Sequence, residues 1–254
     1  RTHTVVKGEL ISSIALRYGI SSQQLLDANP GTNPNLLIAG TVLVIPVAAP
    51  TPAGFVPSPT PLAVQIGAVN CHPVSEGGAW CFALVTNQND TAVENVSALL
   101  RLADSNGTAL TPVHAYTPLN LVPARSSQPL AVYLPAPLPS GLQASLELLT
   151  ALPVTLEDTR YLPATLENTI VQIVQGGLSA EASSEVLLGG GTETQAGQVW
   201  VAAVAYDIQG NVVGVRRWES PSPLSGGGRM PLVMRVYSVA GAIARVELFV
   251  EARR

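Results

Sequence analysis

Three histidines, two cysteines and scattered carboxylates are the residues of this 254-residue chain whose types suit acid–base, nucleophilic or metal chemistry. His3, His72 and His114 have no H-x-x-x-H or H-x-x-E spacing, so each reads as a surface residue near a strand edge, not as a ligand or base. The serines fall in polar stretches and no G-x-S-x-G elbow is present. Asp104-Ser105-Asn106-Gly107 looks like the start of a calcium loop but lacks the further carboxylates and terminal Glu, which leaves a hairpin turn. Gly189-Gly190-Gly191 and Gly226-Gly227-Gly228 are followed by neither the helix nor the Lys of a phosphate loop and read as flexible hairpin loops. The N-x-[ST] sequons at Asn89, Asn95 and Asn106 read as ordinary turn residues. The expectation is a non-enzyme without metal or cofactor.

Cys71 and Cys81 stand ten positions apart in two strand-like segments. In an exported chain they form a disulfide whose loop stabilises by roughly 2 to 3 kcal/mol; the alternative is two separate buried thiols. Arg1 in place of an initiator Met is what an excised export signal leaves, and a trimmed chain begins the same way. A net charge of −4 without a Lys/Arg cluster in the sequence argues against nucleic-acid and anionic-membrane partners. No stretch approaches 18 unbroken apolar residues, so no membrane span is expected.

The elements that would position these residues change character along the chain. Leu10, Ile11, Ile14, Ala15 and Tyr18 recur at helical spacing, with Gly19 as the C-cap. Ser21 and Gln24 form a capping box for a second helix through Leu25 and Leu26, stopped by Pro30. Short apolar strands, Thr4 to Val6 and Val42 to Ile45, flank the helices and complete a β-α-α-β order.

Thr4-Val5, Gly8-Glu9-Leu10-Ile11-Ser12-Ser13-Ile14-Ala15, Tyr18-Gly19-Ile20-Ser21, Leu25 to Pro30, Gly40 and Leu43 to Pro46 together resemble the LysM family. The resemblance implies binding of N-acetylglucosamine-containing polysaccharide, peptidoglycan or chitin, in a groove between two loops. Carried onto this chain, the groove residues are Gly8, Glu9, Leu10, Ile11, Asn29, Pro30, Asn33, Asn35, Leu36 and Ile38. Backbone amides and Asn side chains suit an acetamido group, and Ile11, Leu36 and Ile38 suit its methyl and ring face. The family's usual Asp-Thr after the glycine is Glu9-Leu10 here, which removes a hydroxyl from the helix cap and the polar rim. Outward strand positions that the family fills with Lys or other polar residues are Val6, Val42 and Val44, a face suited to contact with another protein.

Residues 47–61 hold five prolines and read as an extended spacer. Beyond them, Val-, Leu-, Tyr- and Trp-rich runs alternate with Gly, Pro, Asn and Asp turns, the pattern of an all-β sandwich. Ala79 to Asp104 aligns without a gap on Ala182 to Asp207, each ending in D-x-x-G, Asp104 to Gly107 and Asp207 to Gly210. Pro129-Leu130 matches Pro231-Leu232, and Leu146-Glu147-Leu148 matches Val246-Glu247-Leu248. The first copy, through Ala83 to Asn87, Val93 to Val96 and Leu102 to Gly107, resembles the FxLYD-type domains of secreted bacterial proteins, small immunoglobulin-like sandwiches. The signature tyrosine is Ala103 in the first copy and Tyr206 in the second.

The fold class expected is therefore mainly β: a small β-α-α-β LysM module followed by two tandem immunoglobulin-like β-sandwich domains. The divisions fall at 1–46, linker 47–61, 62–154, linker 155–165 and 166–254. The expected function is attachment at the cell surface after export, the sandwiches serving as spacer or adhesive arm. The rival is a structural subunit of an extracellular filament or surface-layer-type assembly. In that rival LysM docks on protein, through self-assembly or through other envelope proteins.

Overall fold

The computed structural model describes residues 2–6, 11–18, 20, 22–30, 32, 40–46, 62–155 and 157–254, in two compact units, 1–58 and 59–254. The proline-rich stretch 47–61 lies outside the described residues.

In the first unit β1 (Thr2–Thr4), α1 (Ile11–Arg17), α2 (Ser22–Asp27) and β2 (Val42–Val44) follow in the expected order. β1 begins two residues earlier than its apolar pattern suggests, because Thr2 and Thr4 pair across to Val44 and Val42 around the central His3–Leu43 pair. The strands alternate exposed and buried positions, as a two-stranded sheet with one covered face must. Val5, Ile11, Ile14, Ala15, Leu25, Leu43 and Ile45 form the core, with Tyr18, Ile20 and Leu26 packed against it. The helical period of the sequence is thus the inward face of both helices.

The second unit is built of strands, with one 3-10 turn at Gln175–Gly177. Its first half contains β3 (Gln65–Ile66), β4 (Asn70–Pro73), β5 (Ala79–Thr86), β6 (Val93–Ala103), β7 (Val113–Tyr116), β8 (Leu121–Val122), β9 (Ser127–Leu134) and β10 (Gln143–Pro153). Its second half contains β11 (Tyr161–Leu162), β12 (Ala164–Val174), β13 (Ser179–Leu188), β14 (Gln195–Ala196), β15 (Gln198–Tyr206), β16 (Val212–Glu219), β17 (Leu224–Ser225), β18 (Arg229–Tyr237) and β19 (Arg245–Arg253).

Strand order repeats. In the first half the strands run β10-β6-β7-β9-β5-β3 in one continuous sheet, with β4 also on β5 and β7 joined to β9 by the single Tyr116–Ala131 pair; in the second half the equivalent order is split into β11-β19-β15-β16 and β12-β13-β18. Each half encloses its own core, around Val85, Val96, Leu100 and Leu130 in one case and Val186, Val201, Ala203 and Leu232 in the other. The two D-x-x-G turns are the same device: Asp104 Oδ1 accepts from the N–H groups of Asn106 and Thr108, and Asp207 Oδ1 from those of Gln209 and Asn211. Gly107 and Gly210 close them at φ 82° and 86°, which glycine adopts without steric penalty. One matched segment is out of step. Ala144 lies opposite Leu102 while Val246 lies opposite Ala205, so the counterpart of Val246 is Ala144 and not Leu146. A shift of two keeps the same face inward, and the alternation of the sequence does not distinguish the two registers.

The two sandwiches share a seam. Trp80, Phe82, Leu84 and Ala131, on the outer face of the β5–β9 layer, cluster with Val204, Tyr206, Val212, Val215, Val239 and Phe249 of the second sandwich. β15 is consequently buried on both faces over nearly its whole length, which is why its sequence, Gln198-Val-Trp-Val-Ala-Ala-Val-Ala-Tyr206, lacks polar alternation.

Candidate functional site

The LysM module's described residues give three of the expected groove positions, and only one of them is free to meet a ligand. Pro30 is exposed. Ile11 is buried in the core, because the first residue of α1 faces inward. Asn29 is spent internally: its Nδ2 donates to the Leu25 and Val44 carbonyls, each at 2.8 Å, and its Oδ1 accepts from Val44 N–H at 2.7 Å. It pins the end of α2 to β2 and leaves no side-chain donor for an acetamido group. Gly8, Glu9, Leu10, Asn33, Asn35, Leu36 and Ile38 lie outside the described residues.

Val6, Val42 and Val44 share the uncovered sheet face with Thr2 and Thr4 and are 62%, 58% and 49% exposed. His3 departs from the sequence reading: it is buried, its Nδ1 is 3.0 Å from Tyr18 Oη, and the two rings meet edge to face at 5.6 Å. It ties β1 to the end of α1. His72 is also not a surface group; its Nε2 is buried and its ring leans on Phe82 at 6.1 Å. His114 is exposed, as expected.

In the second unit Cys71 and Cys81 form a disulfide between directly opposed residues of β4 and β5, which settles the open alternative of two thiols. The glycine triplets are not loose loops. Gly226 N–H donates to Thr194 O at 2.7 Å, Gly227 N–H to Leu188 O at 2.8 Å, and a Cβ on Gly226 would overlap the Gly191 carbonyl. The runs are glycine because two backbones meet there. Among the described residues no group of His, Cys, Asp or Glu is placed to hold a metal ion, and Asp104 serves its turn, its carboxyl held below the usual range first by the Thr108 N–H.

A buried polar node crosses the seam, and no sequence motif announced it. Glu94 accepts from Tyr161 Oη at 2.5 Å and from Arg160 at 2.7 Å. Arg160 also pairs with Asp158, and Asn120 donates to both Tyr161 and Glu94. Glu251 takes the Leu121 N–H at 2.8 Å through Oε2, while its Oε1 is buried without a hydrogen bond and 3.9 Å from Arg253. Burial pushes the Glu251 carboxyl and the Tyr161 phenol upward, the latter reinforced by Glu94. Arg253 lies between the Tyr161 and Trp200 rings, at 5.4 and 5.9 Å, and Arg217 stacks on Trp200 at 4.8 Å. Apart from Glu251 Oε1, the carboxylate oxygens of the node are held by neighbouring groups, which makes it a lock between the sandwiches.

Residues 3–46 match the LysM domain family model. This N-terminal region is a LysM domain. LysM carries binding of N-acetylglucosamine-containing glycans, and such domains typically occur in cell-surface or extracellular proteins. No curated protein matches the chain. Among solved structures, red sea bream transglutaminase is similar over 75% of this chain and 28% of its own, at 11% identity and a TM-score of 0.22. The Amycolatopsis orientalis exo-chitosanase CsxA is similar over 72% and 25%, at 13% identity and a TM-score of 0.26. The chain spans about a quarter of either protein's length, and scores this low carry no argument about function. No helix among the described residues is long and apolar enough to cross a membrane.

Proposed function

We propose that the chain is an exported, non-enzymatic surface protein, held on an N-acetylglucosamine-containing glycan by its LysM domain, with the sandwich pair as a spacer or adhesive arm. The LysM match over residues 3–46, on a segment whose described residues fold as β-α-α-β, carries this reading. The disulfide supports an oxidising location outside the cytosol. The common strand order of the two halves supports two immunoglobulin-like modules at 62–154 and 166–254, of the type the FxLYD resemblance implies. Their shared seam supports an arm that holds its shape, since a hydrophobic interface with a buried polar node resists relative motion.

The test is retention of the full chain on insoluble peptidoglycan and chitin. Retention is expected, with loss on adding soluble N-acetylglucosamine oligomers, and Asn33→Ala or Asn35→Ala should weaken it by about 0.5 to 1.5 kcal/mol for each lost hydrogen bond. Background retention on both glycans would sink the anchor.

One observation favours the rival subunit reading: Val6, Val42 and Val44 form an apolar face where hydration would favour polar groups. In that reading Val42→Lys abolishes assembly seen by sedimentation, because a strongly hydrated ammonium resists burial. A wild-type chain that sediments as a monomer at all concentrations would remove it.

A further inference from the structure

The flank of the second sandwich between β16 and β18 is pinched at one end and open at the other. At the closed end Val239 N–H donates to Val213 O at 2.8 Å, and Gly214 lies so close to Tyr237 that a Cβ there would overlap the Tyr237 carbonyl. Beyond that point the flank holds a cavity of about 450 Å³ walled by Arg216 to Glu219 on β16 and by Val233 to Arg235 with Tyr237 on β18. A second cavity of about 150 Å³ shares Arg216, Arg235 and Tyr237 with it and ends against Trp80 and Phe82 of the first sandwich. The two adjoin along β16 through these shared residues.

Their lining is unusual for this chain. Three of the 13 basic residues of a protein with net charge −4 converge here, although the sequence separates Arg235 from Arg216 and Arg217 by a whole hairpin. Arg216 is exposed and makes no hydrogen bond or ion pair among the described residues. Arg217 has an indole and the Pro118 carbonyl as partners, and Arg235 keeps one carboxylate, Glu181, at 2.7 Å. Glu219, the acidic residue of the lining, accepts from Trp200 Nε1 at 2.5 Å. Tyr237 is 58% exposed, whereas Trp80 and Trp218 are half-buried, packed against the seam cluster and the second core respectively.

We propose that this groove binds an acidic polysaccharide, one whose sugar rings carry carboxylates. Guanidinium forks recognise carboxylates in a planar, two-bond geometry. The exposed Tyr237 ring beside them offers flat apolar area to a pyranose C–H face, which a groove selecting for charge alone would not need. The charge complementarity is local, set against an otherwise acidic chain, and the groove is an open trough suited to a polymer. This site is separate from the LysM domain and does not depend on that domain's ligand.

The experiment uses the full chain and titrates soluble polygalacturonate, with chitin retention followed in parallel and polyglutamate as the competing acidic polymer. Binding at low salt is expected, weakening as salt rises. Arg216→Ala should weaken it about tenfold, the loss of one charge-assisted contact; Arg216→Lys should recover part of that, and Tyr237→Ala should weaken it several-fold. Chitin retention should be unchanged in all three, which separates failure here from failure of the LysM anchor. Circular dichroism on Arg216→Lys supplies the folded comparison. Absence of binding to polygalacturonate, or binding indifferent to both Arg216→Ala and Tyr237→Ala, overturns the proposal. Polyglutamate competing as well as polygalacturonate, with Tyr237→Ala silent, would make this a site for acidic peptides instead.

Discussion

The two sandwiches repeat one strand order and differ at the same two places, the outermost strand and the flank. In the first, the strand beside β5 is broken into β3 and a four-residue β4, and a disulfide clasps β4 to its neighbour. In the second, the eleven-residue β12 pairs with β13 along its length, apart from a bulge between Glu167 and Ile170, and no cysteine is present. A covalent bond in one copy thus stands where a long ladder stands in the other. At the flank, β7 and β9 are joined by the Tyr116–Ala131 bridge, whereas β16 and β18 touch near Gly214 and then leave a groove. The same strand order is bridged at this flank in one copy and open beside Arg216, Arg217 and Arg235 in the other.

The largest expected break in this comparison is at the pinch. Gly214→Val places a branched side chain against a backbone carbonyl that cannot yield, and should cost about 3 kcal/mol, read as a fall in the urea midpoint. Gly67→Ala in the first sandwich meets Leu84 at an ordinary 3.5 Å and should change stability by about 0.5 kcal/mol or less, with a correspondingly small midpoint shift. Equal effects would mean that the flank is not rigidly closed at Gly214.

Reduction of the disulfide comes next. With the cysteines ten positions apart, the chain-entropy model gives up to about 3 kcal/mol. Hydrogen exchange should report the loss in β4 and β5 and leave β12 and β13 unchanged. Across the seam, Tyr161→Phe removes a donor from buried Glu94 and should cost about 1 to 3 kcal/mol, visible as an earlier melt of both sandwiches together. Separate melts in the wild type would show that the seam does not couple them.

A pH series sharpens the same point. Burial raises the Glu251 carboxyl in the fold, so the native state holds its proton where the unfolded chain has released it. Its contribution to stability is therefore fully present below the unfolded value and is lost as pH rises through the raised folded one. Glu251→Gln should accordingly gain stability relative to wild type as pH rises from the acid range to neutral, measured by paired urea titrations. A constant difference across pH would place Glu251 in a wetter site. The smallest effects are at the twin turns. Asp207→Ala should lower the melting temperature more than Asp104→Ala, because Asp207 also accepts from Asn211 Nδ2 at 2.9 Å, and although burial opposes it, the hydrogen bonds to its carboxylate hold Asp207 below the usual range.

Much of the architecture was legible. Helical period, turn residues and internal repetition exposed the β-α-α-β order, the all-β body and the paired D-x-x-G turns, because each follows from local geometry. The disulfide was legible as one of two alternatives. The glycine triplets read as loose loops in the sequence, which carries no record of a second glycine run arriving opposite the first. Of the groove residues, Ile11 and Asn29 were assigned to a ligand by family position. Which face of α1 turns inward and where an Asn amide finds partners are questions of packing. The seam did leave a signal, the unalternating Gln198 to Tyr206 run together with Trp80, Phe82 and Leu84 at outward positions, and a reading that demanded a cover for both faces would have found it.

The sequence by itself determined what depends on neighbours along the chain: strand and helix periods, the aspartate and glycine that close each twin turn, and the order of modules. Only the tertiary structure decided what depends on residues meeting from afar. It set Glu94 of the first sandwich against Arg160 and Tyr161 of the segment that leads into the second, and brought Arg235 beside Arg216. The reason is that a side chain's burial, charge environment and exposure are set by the layer packed over it, and a linear pattern specifies which face is apolar without specifying what covers it.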